Sequence, residues 1–182
     1  MHNINEQLFL FINGAAGNYS FLDRLFLFIT DPFVYILIAL VLTWFFIIIP
    51  FRIKDPLKRL KAFGDAGLLS ISLAFTFFIT QIIKTAVGYP RPFQVLQNVN
   101  SLSLHGNFDS FPSAHSAFVF CIAMFVYYYS KSTGIMLFAL ATLVAVSRIF
   151  VGVHFPLDVI VGALIGVIVP WAIISVFKRY RV

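Results

Sequence analysis

Apolar residues in this sequence come in long blocks separated by short polar connections, and that pattern leaves few folds open. Five blocks, over residues 32–49, 62–83, 116–129, 133–149 and 157–177, carry ionisable side chains only near their ends. The first of them, at 1.5 Å per helical residue, covers about 27 Å of a hydrocarbon core roughly 30 Å thick. Of the 182 residues 60% are apolar and 11% charged, against about 45–50% and 25% in a soluble domain. The bilayer is therefore the solvent for most of the chain. Hydrocarbon offers no partner to an open backbone group, so blocks of this length must be helices. The expected fold is all-α: a polytopic transmembrane helical bundle with five clear spans, built as a single membrane-embedded domain over 1–182.

Residues 1–30 are more polar. Ile4, Leu8, Phe11 and Ile12 recur at helical spacing within 3–13, where Asn3 and Glu6 resemble a capping box. A turn at 14–18 separates this stretch from a second one, 21–29, with Asp23 and Arg24 on its polar side. Both are expected to lie at the interface as amphipathic helices, or to form together a sixth, irregular span. Thr30-Asp31-Pro32 reads as a helix start, with a capping side chain and then proline at the first position. The first residues lack a positively charged region, so no cleavable signal peptide is expected. Cys121 stands alone in an apolar block and reads as a packing residue.

The net charge of +6 does not mark a nucleic-acid binder, because the charges sit between apolar blocks and set orientation instead. With alternating spans, Arg52, Lys54, Lys58, Arg59, Lys61, Lys131, Lys178, Arg179 and Arg181 fall on one side, nine of the thirteen basic residues. By the positive-inside rule that side is cytoplasmic, the C-terminus with it. The chain is then a multi-pass protein of the cell (inner) membrane, with the loops around 89–110 and 150–156 outside.

Three segments on that outer side stand out: Lys84 to Arg91-Pro92, Pro112-Ser113-Ala114-His115, and Ser147-Arg148 to His154 and Asp158. Ionisable groups at this depth are costly and point to function. Lys84, Arg91 and Arg148 are fixed cations, and arginine forks match phosphate oxygens. Ser113 adds a hydroxyl donor, and the helix opening at 113–116 turns free backbone N–H groups toward an anion. Such a set can neutralise a phosphoryl group in flight without Mg²⁺. The outer loops offer Asp109 and Asp158 as carboxylates, too few for an octahedral metal site; neither a metal nor another cofactor is expected. His154 and Asp158, four apart, can share the first turn of a helix, where the carboxylate fixes the imidazole tautomer. The other nitrogen of His154 is then a nucleophile able to form a phosphohistidine, and His115 can protonate the leaving oxygen and later activate water.

Taken singly, each residue has a plainer reading. The His154–Asp158 pair could cap a helix, His115 could anchor at the interface, and Lys84 and Arg148 could merely snorkel. Convergence of all of them at one depth favours catalysis. His105 and Asp109 match no motif and read as loop residues. Gly162 and Gly166 permit close helix packing inside the bundle or a dimer contact. Tyr127, Tyr128 and Tyr129 read as an aromatic belt. Two other classes remain open: a transporter, which would put ionisable groups at midplane, and a non-catalytic lipid-binding protein.

Lys-x6-Arg-Pro, Pro-Ser-x-His and Ser-Arg-x5-His-x3-Asp, in this order over 84–158, resemble the three motifs of the type 2 phosphatidic acid phosphatase superfamily. The resemblance implies a metal-independent helical bundle in which His154 is the nucleophile, Asp158 its orienting partner and His115 the acid. Lys84, Arg91, Ser113, Ala114 and Arg148 would hold the phosphate, Ala114 standing where the family usually has glycine and contributing its backbone N–H. The segment 21–30 resembles the small bacterial undecaprenyl-diphosphate phosphatases of the bacitracin-resistance type. That implies a membrane lipid diphosphate as the partner, with undecaprenyl diphosphate recycled for cell-wall synthesis. Phosphatidylglycerophosphate, phosphatidic acid and lipid A phosphates are the alternative substrates.

Overall fold

Helix signals in the sequence decide where each element begins and stops. The computed structural model describes residues 3–103 and 109–180; His2, His105 and Arg181 lie outside the described residues. Among the described residues nine α-helices follow in order: α1 (Ile4–Asn13), α2 (Ser20–Thr30), α3 (Pro32–Thr43), α4 (Ile49–Arg52), α5 (Pro56–Val87), α6 (Pro92–Val95), α7 (Ala114–Tyr129), α8 (Lys131–Phe150) and α9 (Pro156–Tyr180), with a π turn at Trp44–Ile48 between α3 and α4. Asn3 opens α1 as expected: its side-chain oxygen accepts from the Glu6 amide at 3.0 Å, and its amide donates to the Glu6 carboxylate at 3.2 Å. At α5 the signal is Asp55-Pro56. The Asp55 carboxylate accepts from the amides of Leu57 and Lys58, and proline needs no partner at the first position. Helix α5 therefore starts inside the basic connection and runs for 32 residues, about 48 Å, to Gly88, which caps it in the left-handed region at φ 56°.

Two expectations change. The stretch at 21–29 is not set apart from the first apolar block. It is the first part of a helical run, Ser20–Arg52, of 33 residues. Proline at 32 does not break the run, because an N–H is dispensable at a helix start; the backbone bends at Asp31 instead (φ −126°, ψ −67°). Asp31 makes no capping bond there, since its carboxylate is engaged elsewhere. The five expected spans also differ in length. Among the described residues four helices are long and apolar enough to cross a bilayer, Ser20–Arg52, Pro56–Val87, Lys131–Phe150 and Pro156–Phe177, and Ala114–Tyr129 is a shorter apolar helix. The protein is a multi-pass membrane protein.

Helix α7, at 16 residues about 24 Å long, is short because it is central. Its Ala117, Cys121, Ala123 and Phe125 are fully buried. Small residues on its neighbours bring the backbones together. A Cβ on Gly162 would lie 2.4 Å from the Ser113 carbonyl oxygen, one on Gly166 2.3 Å from that of Ala117, and one on Gly134 2.2 Å from Tyr127 Cα. Gly162 and Gly166 thus pack α9 onto α7 within the bundle. The outward faces stay apolar, with Leu40 62% and Phe78 61% exposed, as a lipid-facing surface requires.

The helices alternate in direction. One end of the bundle gathers Arg52, Lys54, Lys58, Arg59, Lys61, Lys131 and Arg179 at helix starts and stops, and Lys61, Tyr128, Tyr129 and Phe177 line one cavity there. The opposite end gathers the three motif segments.

Candidate active site

Each motif side chain stands at the end of a helix, and the connections lace those ends together. Lys84 occupies the last turn of α5, and Arg91 caps the short α6. Pro90 pairs with Asp109 as an isolated bridge, and the Ser110 amide donates to the Tyr89 carbonyl at 2.6 Å, so the segment before α7 runs beside Arg91. The Ser113 amide donates to the Asp158 carbonyl at 3.0 Å, tying the start of α7 to the start of α9. Arg148 lies in the last turn of α8. The chain then reverses through Gly152 (φ 87°) to His154 and enters α9, with Asp158 in its first turn.

Lys84, Arg91, Ser113, Arg148, His154 and Asp158 are all buried, and His115 is 23% exposed. His154 Nδ1 lies 3.4 Å from Asp158 Oδ2 and 3.3 Å from Ser110 Oγ. The Asp158 carboxylate also accepts from the Phe155 amide at 2.8 Å and from the Ser110 hydroxyl. With Nδ1 facing two acceptors, the proton belongs on that nitrogen and Nε2 keeps its lone pair. Burial first, and then the charges of Arg148, Arg91 and Lys84, hold the His154 imidazole well below its usual pKa. It is a neutral base at neutral pH. His115 is close enough to contribute to the same depression. Five motif residues from five helix ends therefore share one electrostatic environment.

The cations also hold the walls. Lys84 Nζ donates to the Asp109 carbonyl at 2.9 Å and Arg91 Nη1 to the Val153 carbonyl at 3.0 Å. Arg148 Nη1 donates to the Thr30 carbonyl at 3.1 Å and to Asp31 Oδ1 at 2.8 Å, while its buried Nε has no hydrogen-bond partner among the described residues. A phosphate oxygen would satisfy that orphan donor. Ser113 caps α7 by accepting from the Ser116 amide at 3.5 Å, so its own hydroxyl hydrogen remains to donate. Ala114 is the first residue of α7, where backbone N–H groups lack intrahelical acceptors.

Two residues escaped the sequence reading. Ser110 carries no motif signal, yet it completes a Ser110–Asp158–His154 cluster. Asp31, read as a helix cap, instead lies 3.3 Å from His115 Nε2 as well as 2.8 Å from Arg148. The approach to His115 is at ion-pair distance without hydrogen-bond alignment, and His115 Nε2 has no hydrogen-bond partner among the described residues. Position 31 falls where the first apolar block begins, so its depth was available as a signal. Each histidine thus has its own carboxylate.

Known proteins resemble this chain in sequence and fold. The PAP2 superfamily matches residues 65–181. The Bacillus licheniformis protein called bacitracin transport permease protein BcrC is 33% identical over 170 residues, covering 91% of this chain and 76% of the relative. Undecaprenyl-diphosphatase BcrC of Bacillus subtilis (strain 168) is 29% identical over 167 residues, covering 91% and 80%. The crystal structure of Aquifex aeolicus LpxE superposes with a TM-score of 0.77 at 30% identity over 96% of both chains. Fold, site and relatives together define a membrane-embedded phosphoric ester hydrolase. The chain belongs to the PAP2 superfamily.

Proposed function

We propose that this chain hydrolyses a lipid phosphate or diphosphate at the extracytoplasmic face of the cell (inner) membrane, without a metal and through a phosphohistidine on His154, and that undecaprenyl diphosphate is its substrate. The observation that carries this is the convergence of Arg148, Arg91 and Lys84 on a buried, neutral His154 whose Nδ1 faces Asp158. Nε2 of His154 attacks the terminal phosphorus, and the bond from phosphorus to the bridging oxygen breaks as His115 protonates that oxygen. The lipid monophosphate leaves. His115, now neutral, takes a proton from water, whose oxygen attacks the phosphohistidine, and inorganic phosphate and free His154 result. Lys84, Arg91, Ser113, Arg148 and the amide of Ala114 bear the charge on the equatorial oxygens.

Support for the orientation comes from the basic end of the bundle, which the positive-inside rule puts in the cytoplasm with the C-terminus. Helix α7 joins that end to the site end and is proposed as the fifth span, all within one domain whose catalytic region is 84–158. Helix α1 exposes Ile4 (76%) and Phe11 (83%) and is proposed to lie in the outer interface. Support for the substrate is the likeness to undecaprenyl-diphosphatase BcrC of Bacillus subtilis (strain 168). The test is phosphate release by purified protein in detergent with EDTA, over prenyl diphosphates, phosphatidylglycerophosphate, phosphatidic acid and lipid A. Full activity in EDTA with prenyl diphosphates preferred is expected. Dependence on an added divalent ion contradicts the mechanism, and preference for another lipid contradicts the substrate.

Two further outcomes follow from the geometry. Protonation of His154 removes its nucleophilic pair, and its pKa is depressed. Activity should therefore persist as pH falls through 6.5, and the acid limb of kcat/KM, corrected for substrate ionisation, should lie below that value. A limb at or above it would mean that His154 is not the titrating base. Asp31→Asn removes the charge that faces both His115 and Arg148. A loss of about 10- to 100-fold in kcat is expected from misplacing both groups, and steady-state kinetics at fixed pH would measure it.

A further inference from the structure

We infer that Asn13, with Asn5 as its companion, is a positioning residue for His154, acting from a helix that lies wholly outside the family match at 65–181. This rests on the reading of His154 as nucleophile. The turn that presents His154 is irregular. Helix α8 stops at Phe150 and α9 begins at Pro156, so carbonyls at the end of one and amides at the start of the other lack helical partners. Helix α1 supplies both. The buried Asn13 side chain donates from Nδ2 to the Phe150 carbonyl at 2.8 Å. Asn5 Oδ1 accepts from the Leu157 amide at 2.9 Å. The two bonds grip the chain four residues before His154 and three residues after it.

Asn13 also fixes what covers the turn. Its Nδ2 donates to the Asn100 carbonyl at 2.9 Å, and its Oδ1 accepts from the Asn100 amide at 2.9 Å. Next to this pair the Leu102 amide donates to the Val151 carbonyl at 3.1 Å. Gly152, at φ 87°, is packed so closely that a Cβ there would lie 3.3 Å from Asn13 Nδ2 and 3.2 Å from the Asn100 carbonyl oxygen. Between the two asparagines the fully buried Phe9 packs its ring against Phe155, centroids 5.4 Å apart. Bulk apolar packing alone would seat α1 on the bundle. Directed bonds to Phe150 and Leu157 do more, because they set the path of the backbone from which His154 projects. A nucleophile displaced by about 1 Å can cost on the order of 100-fold in rate.

The test compares Asn13→Ala and Asn5→Ala with wild-type protein and with His154→Ala, as full chains in detergent, using a prenyl diphosphate and the release of inorganic phosphate. Wild-type activity lost in His154→Ala upholds the underlying reading; if His154→Ala stays active, that reading fails whatever the asparagine variants do. Given an active wild type and an inactive His154→Ala, Asn13→Ala should lose roughly 10- to 100-fold in kcat with KM within about twofold, because Lys84, Arg91 and Ser113 on α5, α6 and the start of α7 are untouched and Arg148 stays tied to Thr30 and Asp31. Asn5→Ala, whose bond lies at the surface, should lose about three- to tenfold in kcat with the same flat KM. Should Asn13→Ala fail to fold, Asn5→Ala alone decides. A kcat within twofold of wild type, or a rise in KM at constant kcat, overturns the inference.

Discussion

His154→Ala is expected to lower phosphate release by roughly 10⁴-fold or more, the scale seen when an attacking nucleophile is removed from an otherwise intact site. The substitution takes away the atom that forms the bond to phosphorus and leaves the cations in place, so what survives is slow attack by water on a bound and neutralised phosphate. The bundle should remain folded. Asp158 keeps the Phe155 amide and the Ser110 hydroxyl as donors after the imidazole is gone, and the helices pack through α7 rather than through the turn. Phosphate release, with gel filtration and circular dichroism on the same preparation, would measure both halves of the claim. Retained turnover would exclude His154 as nucleophile.

Arg148→Lys should cost roughly 10²–10³-fold in kcat, the range for loss of a charge-stabilising donor in a buried site. Arg148 uses Nη1 on Thr30 and Asp31, and its buried Nε has no partner among the described residues. A guanidinium can hold the wall with one edge and a phosphate with another. An ammonium is a single point charge and cannot do both. The loss should therefore appear mainly in kcat, where the equatorial oxygens gain charge, and a lysine variant within about threefold of wild type would contradict the assignment. The Asp31→Asn effect should also shrink in the Arg148→Lys background, since the two residues share one interaction.

The catalytic segments were legible in the sequence because each places a costly ionisable group where an apolar block ends. Depth alone is enough to bring Lys84, His115, Arg148 and Asp158 to the same level of the membrane, and alternation of the spans brings them to the same end. Lateral neighbours were not legible. Asp31 lies at the right depth, but Asp-Pro is also a helix-start signal, and no spacing rule connects position 31 with 148. Ser110 sits in a loop whose path depends on the Pro90–Asp109 bridge, a long-range pairing that leaves no periodic trace. The helical pattern of α1 showed which side chains share a face. It did not show that Asn5 and Asn13 cap two other helices, because capping in trans depends on where those helices end. The length of the central helix was not legible for a related reason: α7 is short and buried among small residues, so its role follows from its neighbours more than from its own length.

The stereochemical course at phosphorus tests the covalent route most directly. With a substrate whose terminal group is a thiophosphoryl made chiral by two oxygen isotopes, hydrolysed in water of the third, two successive in-line displacements, first by His154 and then by water, predict net retention of configuration in the released thiophosphate. Net inversion would mean that water attacks the lipid phosphate in a single step, and the phosphohistidine mechanism would be wrong.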